Sequence, residues 1–295
     1  SRACAAGSEI AFEINRPVPY RIVPQVNPPA LTIDLFGCVL APYWVRQFPD
    51  DSLLKLIHPW QEASEWVRVK VDLNTAAIVG YRAYRRNNTF VVEGRRGYSG
   101  PALKGKTLCL DPGHGGKDNG ASAPNGLREK TVNLAIAKRA EELLVASGAS
   151  VVLTRYRDSQ VGPPGCSLAQ ELEARLLVGV RSQADLFVSI HNNHTGGKPT
   201  SSVGGVEAYY WTPFSQLLAK RLGQGLAAAL KTNNRFVAWR PFHVLRGTDC
   251  PRALVECAYM SNPTEAKYMA KPEFVERSAL GIAAGIHQFL AEASD

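Results

Sequence analysis

The feature that most restricts the fold of this 295-residue chain is a change of periodicity near residue 100. Before it, apolar residues alternate with polar ones: Ile10, Phe12 and Ile14, then Leu31, Ile33 and Leu35, then Val67, Val69, Val71 and Leu73. A period of two sends alternate side chains to opposite faces, the pattern of half-buried strands. Runs 77–84 and 89–93 extend it, and Pro17, Pro19, Pro24, Pro28 and Pro29 punctuate the early connections. Apart from a short helix expected near 51–57, no 3.6-residue period appears before residue 130. Residues 1–98 are therefore predicted to form a small all-β domain, an antiparallel sandwich. The glycine-rich polar stretch RRGYSGPALKGK (95–106) reads as a linker.

From residue 107 the chain alternates strands with helices. Strands are predicted at 107–111, 150–154, 185–190, 203–210, 242–245 and 252–257. Helices are predicted at about 130–147, 168–182, 213–231 and 272–292, the first, third and fourth with an apolar stripe such as Val275, Ala279, Ile282, Ile286 and Phe289. Gly148 is placed to end the first helix. Continuous apolar strands between helices imply an α/β domain over 105–295, a mostly parallel sheet with helices on both faces. Ligands of such sheets bind beyond the carboxyl ends of the strands.

That rule directs attention to four residues. His114 follows strand 107–111, His191 ends strand 185–190, and Glu256 lies near the end of strand 252–257. Glu129 opens the first helix, after the loop that carries His114. Singly, each has a plain structural reading; an acid at a helix start, for instance, simply suits the helix dipole. Glu256 stands apart, because a carboxylate between Val255 and Cys257 in a buried strand is costly unless it is paired, protonated or metal-bound. Two imidazoles and one carboxylate suit Zn2+, with water in the fourth position. A further carboxylate off the metal could take that water's proton and pass it to a leaving amine, a role that suits Glu256. A phosphate cradle fits poorly. The run GHGGKD (113–118) puts Asp118 where a P-loop needs Ser or Thr, and no helix starts before residue 129.

Composition narrows the class. Apolar residues make up 45% of the chain and charged ones 20%, as in globular proteins. No apolar stretch is long enough to span a membrane. The start, SRACAAGSEI, has no apolar leader core, so a signal peptide is either absent or already removed. The net charge of +8 is diffuse, which fits a polyanionic environment or nothing specific. None of the six cysteines forms a C-x-x-C pair, and Cys109 and Cys257 are expected to be buried free thiols.

The segments LDPGHGGKDNGA (110–121), NGLREKTVNLAIA (125–137), ADLFVSIHNNH (184–194) and FHVLRGTDCPRALVECAYMSNPTEAKYM (242–269) resemble the zinc-dependent N-acetylmuramoyl-L-alanine amidases of the amidase_3 type. The likeness runs in order from about 105 to 292. It implies hydrolysis of the amide between N-acetylmuramic acid and L-alanine of the peptidoglycan stem peptide, by a zinc-bound water. By the same resemblance His114, Glu129 and His191 hold the zinc, Glu256 is the catalytic carboxylate and Arg246 lies on the substrate side. His194 and His243 are expected not to be ligands. Residues 8–94, with PALTIDL (29–35) and VRVKVDL (67–73), look like the AMIN domain that tethers such enzymes to the wall. Peptidoglycan is then the partner, with no nucleic acid and no transmembrane segment. The expected chain is a monomer, periplasmic or extracellular and associated with the wall.

Two departures from the family pattern stand out. Asn192 occupies a place that often holds alanine, and could either support the metal ligands or point away. Trp211 leads into helix 213–231 without the long helical insertion that plugs division-type relatives, which implies an open site. The rival readings are another zinc hydrolase of wall peptides or amino sugars, and a non-catalytic wall-binding or activator protein on the same fold.

Overall fold

The computed structural model describes residues 2–4, 7–41, 53–74, 78–98 and 100–294. The chain divides into two compact units, Ser1–Ser99 and Gly100–Asp295. In the first unit, β1 (Arg2–Cys4), β2 (Gly7–Glu13), β7 (Ile78–Arg86) and β8 (Thr89–Arg96) make one antiparallel sheet in the order β1-β2-β8-β7. β3 (Tyr20–Val26), β4 (Pro29–Phe36), β5 (Leu54–Ala63) and β6 (Trp66–Leu73) make a second, in the order β3-β4-β6-β5. The alternating residues seen in the sequence form its core: Leu31, Ile33, Val69 and Val71 are buried with Ile10, Phe90 and Val92. The two sheets touch where Tyr20 packs on Phe90, ring centroids 4.7 Å apart, and where the Tyr81 hydroxyl donates to the Ile22 carbonyl at 3.3 Å. The helix expected near 51–57 is replaced by β5 from Leu54 onward, where pairing with β6 outweighs a weak local pattern. Residues 51 and 52 lie outside the described residues.

Asp34 on β4 is fully buried, yet it carries charge. Arg68 Nε donates to it at 2.7 Å, Arg21 Nη2 at 2.6 Å and Trp66 Nε1 at 3.1 Å. Burial alone would raise its pKa, but these donors hold it down at about 2. The folded value lies below the ordinary 3.8, so the stabilisation is complete above about pH 4 and is lost as pH falls through about 2. Asp34→Ala should cost about 2 kcal/mol, less than a fully enclosed pair because Arg21 is 56% exposed. Urea unfolding of the variant at pH 7, set against pH 2, measures this; the gap from wild type should shrink in acid.

The second unit is built on β9 (Thr107–Pro112), β10 (Ser150–Leu153), β11 (Leu186–Asn193), β12 (Val206–Tyr210), β13 (Asn234–Trp239) and β14 (Arg252–Tyr259), in the order β10-β9-β11-β14-β12-β13. All neighbours are parallel except β14 and β12. Five helices accompany the sheet: α1 (Glu129–Ala146), α2 (Leu168–Arg181), α3 (Gln216–Leu230), α4 (Pro263–Met269) and α5 (Pro272–Glu292). α5 packs against both α1 and α3. Opposite them, Leu172 and Val178 of α2 pack with Cys109, Phe187, Leu254, Val244 and Leu245. Gly148, at φ +95°, closes α1 as expected, with Gly148 N on the Val145 carbonyl and Ala149 N on the Leu144 carbonyl. Cys109 and Cys257 are fully buried free thiols.

The strand expected at 242–245 is instead a 3-10 turn, His243–Leu245. Its buried Val244 and Leu245 face α2, so burial without a strand partner produced the apolar run. β13 and α4 were not anticipated. β13 is an edge strand, mostly exposed. α4 is a two-turn helix set by its cap: Asn262 Oδ1 accepts from Thr264 N and Glu265 N, and Pro263 opens the first turn.

Candidate metal centre and cleft

Register brings the site together. Ile190 pairs with Pro112 and His191 pairs with Glu256, so the ends of β9, β11 and β14 are level. Alternation then sends His191 and Glu256 to one face, the face that α2 covers. A cleft of about 610 Å³ lies there, lined among others by His114, His191, Glu256, Leu172 and Phe242. One donor atom each from His114, Glu129 and His191 lies within 4.8 Å of the others. His114 Nε2 is 3.2 Å and His191 Nδ1 3.0 Å from the same oxygen, Glu129 Oε1, and the two rings meet edge-on with centroids 4.9 Å apart. The other ring nitrogen of His114, Nδ1, donates to Asp118 Oδ2 at 2.7 Å. A carboxylate behind the imidazole in this way fixes the tautomer of a metal-binding histidine.

The glycines of the first loop are required by close approach. A Cβ on Gly113 would lie 2.1 Å from the His191 ring, and one on Gly120 would lie 2.5 Å from Glu129 Oε2 and 2.6 Å from the His114 ring. His114 itself takes a left-handed conformation, φ +62°, which is uncommon for a side-chain-bearing residue. Cations hold the loop in that shape by its carbonyls. Arg175 of α2 donates to the Pro112 and His114 carbonyls at 2.9 and 2.7 Å, and Arg155 to those of Pro112 and Gly113 at 2.9 and 3.0 Å. Asp111 balances Arg175 at 2.9 Å and accepts from Thr154 and Ser189.

The carboxylates differ in character. Burial alone would raise Glu129, but the hydrogen bonds and charges of His114 and His191 take it well below the usual carboxylate range. Ala121 N donates to its Oε2 at 2.8 Å and Asn192 N to its Oε1 at 3.2 Å. Burial, together with the nearby charges of Glu129 and Glu207, pushes Glu256 well above that range. Glu256 Oε2 is buried and has no hydrogen-bond partner.

Asn192 lies on the opposite face of β11 from His191, turned toward α1. Its Nδ2 donates to Asn133 Oδ1 at 2.8 Å, and Asn133 Nδ2 donates to Glu129 Oε1 at 3.3 Å and the Gly113 carbonyl at 3.2 Å. It therefore braces Glu129 from behind. His243 lines the cleft and pairs with Glu173 at 2.8 Å, and His194 Nδ1 accepts from Gly196 N; neither joins the donor cluster. Arg246 is exposed at the end of the 3-10 turn, outside the cleft lining. Its guanidinium donates to the Pro241 carbonyl at 3.2 and 3.3 Å. Between β12 and the Pro213–Ser215 turn stand only Trp211 and Thr212, too few for a helical insertion.

Sequence reasoning missed Asp118, Asn133, Arg175 and Glu207. Glu207 is 2% exposed and pairs across β12 and β14 with Glu256. It accepts from Asn193 Nδ2 at 2.9 Å, Arg235 Nε at 2.9 Å and the hydroxyls of Tyr209 and Tyr259. The available signal was an acid inside the apolar run VEAYY, the same signal that singled out Glu256.

A family model described as N-acetylmuramoyl-L-alanine amidase (Amidase_3) matches residues 108–288. The chain is 38% identical over 182 residues to the N-acetylmuramoyl-L-alanine amidase LytC of Bacillus subtilis, covering 60% of this chain and 34% of that protein. It is 32% identical over 201 residues to the germination-specific N-acetylmuramoyl-L-alanine amidase of the same organism, covering 65% of this chain and 83% of the relative. Among solved structures, the CwlD amidase of Clostridioides difficile, in complex with the GerS lipoprotein, superposes with a TM-score of 0.59 at 34% identity, over 63% of this chain and 99% of that one.

Proposed function

Because the chain belongs to the Amidase_3 family of N-acetylmuramoyl-L-alanine amidases, we propose that it hydrolyses the amide between N-acetylmuramic acid and the L-alanine of the stem peptide in peptidoglycan. The observation that carries the reading is the convergence, in one cleft, of a His–Glu–His donor set with a second glutamate whose buried oxygen has no partner. The donor set fits zinc: two imidazoles and a carboxylate within reach of one centre, with His114 already oriented by Asp118. His114, Glu129 and His191 would hold the ion. When bound, zinc would polarise the substrate carbonyl and make water acidic enough to attack near neutral pH.

This chain's own groups supply the rest. Glu256, a stronger base than an ordinary glutamate while ionised, takes the proton of the attacking water and returns it to the departing L-alanine nitrogen. Glu129, braced by Asn133 and the Asn192 amide, stays anionic. Arg175 and Arg155 keep the His114 loop in its left-handed turn. Among the described residues, the connection after β12 is too short to hold an inhibitory helix, so the reading needs no such segment to be released from that place. A substrate-side role for Arg246 would need its guanidinium to leave the Pro241 carbonyl.

The identity of the bond is tested by mass spectrometry of digested wall. Intact stem peptides beginning with L-alanine are expected. Fragments cut within the peptide, or deacetylated sugars, would favour another zinc hydrolase. The first unit, two four-stranded antiparallel sheets, fits an AMIN-like wall-targeting domain, and with it a location outside the cytoplasmic membrane. No helix of the described residues is long and apolar enough to cross a membrane. Removing 1–98 should weaken binding to sacculi more than it slows turnover of a soluble muropeptide. Equal pelleting with sacculi, with and without the segment, would remove the targeting role.

A further inference from the structure

The cleft has unlike flanks. Sheet order puts β9 and the His114 loop on one side of β14, and β12 and β13 on the other. On the β9 flank the lining includes exposed Lys117. On the other, three rings stand in a row. Tyr209 meets Phe242 edge-on at 5.2 Å and Phe236 at 5.9 Å, with interplanar angles of 89° and 73°. Glu207 pairs with both Glu256 and Phe236, so this row is on the sheet face that carries Glu256. Tyr209 is buried and its hydroxyl donates to Glu207, which also occupies Arg235. The outer rings are open: Phe236 is 38% exposed and Phe242 39%, and Phe242 itself lines the cleft. Two exposed phenylalanines fixed against a buried tyrosine, continuous with a reactive cleft, mark a binding surface.

Resting on the amidase reading, we propose that the Phe242–Tyr209–Phe236 shelf is the saccharide subsite of the cleft and that the stem peptide runs toward Lys117. The two halves of the substrate differ as the flanks do. The sugar half is uncharged, because its lactyl carboxyl is in the amide, and its ring offers a flat C–H face to an aromatic surface. The peptide half carries free carboxylates and suits the flank with the exposed lysine.

Isothermal titration of the full chain tests this with two probes, the peptide-free tetrasaccharide of N-acetylglucosamine and the sugar-free tripeptide L-Ala-γ-D-Glu-L-Lys. Phe236→Ala and Phe242→Ala should each weaken the tetrasaccharide about tenfold and leave the tripeptide within about twofold, while Phe236→Tyr and Phe242→Tyr keep the tetrasaccharide affinity. Circular dichroism identifies any variant that fails to fold, and Phe236→Leu and Phe242→Leu, which keep apolar bulk but lose the ring face, then carry the comparison, with the same expected loss for the tetrasaccharide and none for the tripeptide. The subsite is overturned if the wild type does not bind the tetrasaccharide, if the alanine variants bind it unchanged, or if both probes weaken equally. A wild type that binds the tetrasaccharide but releases no L-alanine-headed peptide from muropeptides would sink the amidase reading and leave the shelf standing.

Discussion

Glu256→Gln is expected to lower peptide release from muropeptides by about three orders of magnitude while zinc content stays at one per chain. The size follows from what the side chain does and does not do. It is not one of the three clustered donors, so its loss leaves His114, Glu129 and His191 in place. Glutamine keeps the volume and one carbonyl oxygen, so the buried strand around Val255 and Cys257 needs no repacking. What vanishes is the ability to accept and return a proton. Removing an isolated buried carboxylate also relieves like-charge repulsion from Glu129 and Glu207, so the variant should unfold no earlier than wild type. Metal analysis, thermal unfolding and the release assay together separate these effects. A variant with full release would remove Glu256 from the chemistry, and one that loses zinc would make it a ligand.

The second large effect comes from a single methyl group. Gly113→Ala would put a carbon 2.1 Å from the His191 ring, against roughly 3.5–4.0 Å for a comfortable carbon contact. The ring cannot retreat easily, since Nδ1 is bound to Glu129 and the Gly113 amide is itself tied to the Ile190 carbonyl at 3.0 Å. His191 must leave the cluster, and two donors remain. Zinc affinity is expected to fall by at least about a hundredfold, with activity lost in parallel. The sheet beneath, Leu108, Leu110 and Val188, is untouched, so the variant should stay folded. Competition with a chromogenic chelator reads the affinity directly. Normal affinity would mean that the loop has room the present contacts deny it.

Much of this was legible in the sequence, for reasons that differ by element. β6 shows its period of two because one face is buried and the other is wet. α1 and α5 show their stripes for the same reason. β13 was missed because an exposed edge strand buries too little to leave a pattern, and the 3-10 turn at His243 was misread because its apolar residues are buried without a strand partner. That His114, His191 and Glu256 meet in one cleft could be read from the sequence, because all three lie at strand ends of one parallel sheet. Asp118, Asn133 and Arg175 could not. Each acts on a residue distant in sequence or across a tight turn, and a polar side chain on a helix or loop looks the same in sequence whether it braces a ligand or faces solvent.

The His114–Glu129–His191 donor cluster and Glu256 all come from the second unit, between residues 114 and 256, and so do the arginines and asparagines that brace them. The first unit supplies none of these groups. In evolutionary currency the second unit is therefore a portable cassette. A lineage could exchange residues 1–99 for a different domain without re-optimising any residue of the cleft.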